Sequence, residues 1–203
     1  MKKILLTLTL ALGVHQVASA GYLEGVAAYK AKNYSAAYKE FTPLAGKGHT
    51  DSQYLLGLMY YTGQGVPQDF KQAASWHLKA AGKGKADAQY ILGSQYFTGQ
   101  GVEQDYKQAV SWFRKAANQG HAEAQYLLGL MYMHHAAGME KDVVLAYMLW
   151  NLAAASGSAN AAEQRNALAP KMTRAQLEEG QAMSSRWKVG TPLPMESKTG
   201  TRG

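Results

Sequence analysis

The chain has 203 residues, a formal net charge of +7, 47% hydrophobic residues, only 17% charged residues and no cysteine. This composition excludes a disordered, highly charged chain. The missing Cys excludes a disulfide framework, a thiol nucleophile and a Cys-bound metal. The lysines and arginines form no run, which argues against a nucleic-acid partner.

The first element is an export signal, expected over residues 1–20. Lys2 and Lys3 form a positive start, and Ile4 to Val14 is an apolar core too short to span a bilayer. Ala18-Ser19-Ala20 is a small-residue cleavage site, so cleavage is expected after Ala20 and localisation in the periplasm or outside the cell. Removing Lys2 and Lys3 brings the net charge from +7 to +5. No Cys follows to carry a lipid anchor, and no later apolar stretch reaches transmembrane length.

The remainder is organised by a repeat of 36 residues. Gln53, Gln89 and Gln125 share this spacing, as do Gly57, Gly93 and Gly129, and Tyr60, Tyr96 and Tyr132. Residues 51–86 match 87–122 at 23 of 36 positions. Residues 21–49 form a degenerate first copy, in which Pro43 is expected to kink its second helix or end it early. Full copies follow at 50–85, 86–121 and 122–158, the last with one extra loop residue.

Each copy reads as helix, loop, helix. In the second, a first helix over about 86–98 precedes a Gly99-Gln100-Gly101 turn. Asp105 is placed as N-cap of a second helix to about Asn118, closed by Gly120. Capping helices are expected over 159–188: one from Ala159 to Leu168, then one opened by a Thr173-to-Gln176 capping box and running to about Trp187. Residues 189–203, rich in Gly, Thr, Pro, Ser and Lys, read as a disordered tail.

AQYILGSQYFTGQGVEQDYKQAVSWFRKAANQGHAEAQ, residues 88–125, resembles the Sel-one-like repeat, a relative of the tetratricopeptide repeat. The shared pattern is A-x-A-Q-x-x-L-G-x-x-Y-x-x-G-x-G-V, then Asp, Lys-x-Ala, an aromatic and Lys-Ala-Ala-x-x-G. The third copy departs from it: His135 and Ala137 replace the loop glycines, and Leu149 replaces the repeated Trp. The resemblance covers about residues 21–188. It implies an all-α, right-handed α-solenoid with a role in binding other proteins, and exported bacterial members look like adaptors in envelope assemblies or binders of host or effector proteins.

Comparing the copies separates packing from binding. On each first helix one arc is nearly invariant (Ser52, Gln53, Leu56, Gly57 and Tyr60 in the first full copy) and is assigned to packing, together with Trp76 and Trp112. The opposite arc varies, and the resemblance implies that it faces a concave groove. The expected partner-binding residues are Leu55, Met59, Thr62, Ile91, Gln95, Thr98, Leu127, Met131 and His134. The alternative is that this apolar strip is core covered by the C-terminal helices.

No catalytic constellation, cofactor motif or metal site is expected. Met131, Met133, His134, His135 and Met139 are soft donors, but adjacent His side chains diverge on a helix. Ser185-Arg-Trp-Lys188 spells S-x-x-K without the S-D-N and K-T-G motifs that accompany it in penicillin-recognising enzymes. The reading is a non-catalytic, exported adaptor that binds a protein or peptide. The alternatives are a periplasmic inhibitor or immunity-type protein, and a β-lactam-binding hydrolase.

Overall fold

The structure, a computed structural model, describes residues 20–200. The expected export signal lies outside the described residues except for Ala20. The chain divides into two compact units, Met1–Lys85 and Ala86–Gly203. The described residues form ten α-helices and no strand.

In the first unit, residues 20–30 form α1, followed by α2 (Tyr34–Gly46), α3 (Thr50–Thr62) and α4 (Phe70–Gly82). Helix α2 packs on α3 and α3 on α4. Ala37, Phe41 and Met59 form a core joined by Tyr22, Val26, Tyr29 and Leu55. Short polar side chains start the helices: Asn33 accepts from the Ala36 N–H, and Asp69 from those of Lys71 and Gln72. At α3 the cap is His49, whose Nδ1 accepts from the Ser52 N–H at 3.2 Å. Pro43 does not end α2, which continues to Gly46. The missing N–H frees only the Lys39 carbonyl, and Lys39 and Pro43 are both exposed, so water can satisfy it.

The second unit contains α5 (Ala86–Thr98), α6 (Tyr106–Asn118), α7 (Ala122–Met133), α8 (Val143–Ala155), α9 (Ala159–Leu168) and α10 (Arg174–Arg186). Consecutive helices pack pairwise from α5 to α9, and α10 returns onto α8. This consecutive packing of helical hairpins is the architecture of an α-solenoid. Helix α8 is almost wholly buried from Val144 to Trp150, because α7, α9 and α10 all cover it. The Thr173–Gln176 capping box is present at the start of α10.

The assignment of Trp76 and Trp112 to the core is corrected. The buried stripe of α6 is Ala109, Phe113, Ala116 and Ala117, a spacing of four, seven and eight residues. Trp112 falls just off this stripe and is only half-buried, with Lys115 Nζ 3.6 Å from its ring centre. Trp76 is likewise half-buried under Lys79, at 3.8 Å. The large buried side chains of the second helices are the next residues along, His77 and Phe113, and in the third copy Trp150, which follows Leu149.

The expected disorder of the tail does not hold for residues 189–200. They form no helix, yet Leu193, Ser197 and Gly200 are buried and the segment is hydrogen-bonded to α6 and α10 and to the N-cap of α8.

Candidate functional site

The second unit carries an apolar pocket of about 320 Å³. Helix α5 supplies Ser94, Phe97 and Thr98, α6 supplies Phe113, and α7 supplies Leu127, Leu130 and Met131, with His134 and Ala136 closing one end. The two hydroxyls on its wall are already engaged. Thr98 donates to the Ser94 carbonyl at 2.9 Å, and Ser94 to the Tyr90 carbonyl at 3.1 Å. What they leave toward the pocket is hydrocarbon. His134 is the one titratable side chain on the wall.

The third repeat's loop shapes this end of the pocket. Where Gly63 and Gly99 adopt positive φ in the earlier copies, His135 does so with φ of +52°. The chain then makes a 3-10 turn over Ala136–Gly138. Such a backbone is uncommon for a residue with a Cβ. At the mouth, Phe97 is 37% exposed and meets Tyr106 edge-on at 5.3 Å. An exposed Phe beside an apolar cavity is the kind of surface that a partner's side chain can cover.

The expected binding residues divide in the structure. Thr98, Leu127, Met131 and His134 line the pocket. Ile91 is half-buried on α5 and is not among the lining residues. Gln95 is 1% exposed, and its place in a groove is corrected: it points inward. In the first unit Met59 is fully buried in the core with Phe41, which removes it from any surface. Leu55 packs partly against that core, whereas Thr62 is exposed and donates its hydroxyl to the Leu58 carbonyl. Phe97 and Phe113 were missed. The aromatic or sulfur-containing side chains at 61, 97 and 133 (Tyr, Phe, Met) were the available signal for the first, and the change from His77 to Phe113 to Trp150 for the second.

Among the described residues, the S-x-x-K serine and lysine do not meet. Ser185 Oγ donates to the Ala182 carbonyl at 3.1 Å, and Lys188 lies beyond the end of α10. Among the described residues, no three His, Asp or Glu side chains converge to hold a metal ion. Among the described residues no helix is long and apolar enough to cross a membrane.

Consecutively packed helical hairpins define a helical-repeat protein of the α-solenoid class. The chain belongs to the Sel1 repeat family, whose pattern matches residues 50–85, 86–121 and 122–158. Sel1 repeat proteins generally mediate protein–protein interactions. Among solved structures, the chain is similar to a protective antigen present in uropathogenic Escherichia coli strains that displays an SLR fold. The two share 33% identity over 84% of this chain and 37% of that one, with a TM-score of 0.73. A Sel1 repeat protein from Oxalobacter formigenes is 34% identical over 71% of this chain and 57% of its own, with a TM-score of 0.68. The chain thus spans less than two thirds of either protein. No curated protein matches it.

Proposed function

We propose that this chain is an exported, non-catalytic adaptor that binds a protein partner by receiving a bulky apolar side chain in the pocket between α5, α6 and α7. The observation that carries this reading is the pocket itself: about 320 Å³ of apolar space with a partly exposed Phe at its mouth. Leu127 and Met131 form its wall and Thr98 and His134 its rim, and the flexible Met131 thioether adapts to the ring or branched chain that enters. Such a site suits an amphipathic helix that presents one large anchor. Export rests on the Lys2-Lys3 start, the short apolar segment and Ala18-Ser19-Ala20.

The test uses protein recovered from the envelope of its native host, whose intact mass should place Gly21 first. Immobilised, it should retain a partner that Phe97→Asp and Thr98→Arg both lose. Both positions are exposed, so each variant should keep its melting temperature to within about 0.5 kcal/mol of stability. Unchanged capture by both variants would remove the pocket from the binding site.

A further inference from the structure

After α10 the chain reverses. Gly190 has φ of +88°, the Thr191 N–H donates to the Lys188 carbonyl at 3.0 Å, and Trp187 Nε1 donates to the Thr191 carbonyl at 3.1 Å. Residues 190–197 then run as a strap along the second unit, held mainly through their own backbone. Asn118 accepts the Gly190 N–H on its carbonyl at 2.7 Å and the Leu193 N–H on Oδ1 at 2.8 Å. Arg114 Nη2 donates to the Leu193 and Pro194 carbonyls at 2.5 and 3.0 Å. Its Nη1 donates to Tyr132, whose hydroxyl faces the Met195 carbonyl at 3.4 Å. Leu193 is 4% exposed, set with Pro194 among Tyr132, Leu145, Met148 and Leu149. Asp142 accepts the Ser197 N–H and hydroxyl, both at 2.8 Å.

These contacts describe a receptor for a particular kind of chain. Pro192 and Pro194 fix φ and carry no N–H, so the segment stays extended and offers carbonyls. Arg114 and Tyr132 lie against three of those in succession. A socket takes the residue between the prolines, and a carboxylate takes a hydroxyl residue four places on. The receptor groups are fixed without the strap. Asp142 also caps α8 through the Val144 and Leu145 N–H groups, and Arg114 and Tyr132 hold one another. The strap also leaves part of the channel empty: beside Met195 and Glu196 lies a cavity of about 420 Å³, with Arg114, Tyr132 and Asp142 on its wall.

We propose that this channel over α6, α7 and the N-terminus of α8 is a second peptide-binding site, separate from the apolar pocket. It takes an extended Pro-Leu-Pro segment of a partner protein with Ser or Thr four residues beyond the Leu. The chain's own strap occupies it in cis as a competing ligand. A tethered competitor acts at an effective concentration of roughly millimolar order, so for a segment that binds the open channel with a Kd of about 0.1 mM or tighter, releasing it should raise affinity at least tenfold.

The test keeps the full chain and replaces Leu193 by Asp, which cannot stay in an apolar socket. The probe is a fluorescent peptide with the sequence of residues 189–200, followed by polarisation. Saturable binding to Leu193→Asp, at least tenfold tighter than to wild type, is expected. It should vanish when the peptide's Leu is changed to Asp, and when Arg114→Ala is added to the protein. A Leu193→Asp chain that keeps its helical circular dichroism and does not bind overturns the proposal. So does equal binding by the wild-type chain, or binding indifferent to Arg114→Ala. If Leu193→Asp loses its helical signal, Ser197→Glu, which sets a second carboxylate against Asp142, must meet the same tenfold criterion. A wild-type chain that sediments as a dimer at assay concentration would overturn the cis assignment.

Discussion

Gly93 on α5 lies so close to α6 that a Cβ there would stand 2.8 Å from the Phe113 ring and 3.2 Å from the Ala109 carbonyl. The same approach recurs as Gly57 on His77, Gly129 on Trp150 and, in the degenerate copy, Gly25 on Phe41. The repeating glycine was legible in the sequence because it does not change. Its partner was not, because the ring changes from copy to copy, while the Trp repeated beside it at 76 and 112 drew the core assignment. The two roles separate experimentally. Phe113→Ala empties a fully buried ring site and should cost about 3–5 kcal/mol. Trp112→Phe should cost less than about 1 kcal/mol. Its buried indole Nε1 has no acceptor among the described residues, so the change removes an unsatisfied donor while keeping most of the ring. Thermal melts of the two variants decide it, and an equal loss for both would return Trp112 to the core.

At the level of elements, helix boundaries were readable where a cap and a glycine bracket the run. Asp105 binds the Lys107 and Gln108 N–H groups as its place in the sequence implies. The strap was not readable. Its hold rests on backbone groups meeting Asn118, Arg114 and Asp142, and such bonds leave no periodicity in a Thr-Pro-Gly-Ser-rich segment. In the candidate site, Thr98, Leu127 and His134 were legible from the variable arc, but its equivalent positions Met59, Gln95 and Met131 all turn into the core, and of the three only Met131 also lines the pocket. The two residues that follow the strap, Lys198 and Thr199, carry their own pH signature. Burial pushes the Glu179 carboxyl up, but hydrogen bonds from the Thr199 hydroxyl and the Lys198 and Thr199 N–H groups outweigh it and hold the group below its ordinary 4.5. A carboxyl held low in the folded state adds stability that is fully present above about 4.5 and is lost as pH falls through the lowered value. The Lys198 amide, 2.7 Å from Glu179, should therefore lose hydrogen-exchange protection relative to α8 on acidification below about 4.5. Glu179→Gln should remove that acid-dependent step. A step of the same size in the variant would assign it to another group.

At the scale of the whole molecule, the two units differ in how their cores are built. The first rests on Ala37, Phe41 and Met59, with small alanines along α4. The second has a continuous core from Ala109 through Trp150 to Leu193. Helix α8 is its centre: it is buried on every side by α7, α9 and α10, and Trp150 Nε1 is tied to the Tyr126 carbonyl at 3.1 Å. Repeat proteins open locally, because each hairpin is held chiefly by its neighbours, and the segment with the most buried apolar surface opens last. Amides of α8 from Leu145 to Trp150 should therefore exchange slowest in the molecule under native conditions, and those of α2 to α4 measurably faster. The measurement is residue-resolved hydrogen exchange across a denaturant series. If the helices of both units showed the same opening free energy, the chain would unfold as one cooperative block. The difference between the two cores would then carry no energetic weight.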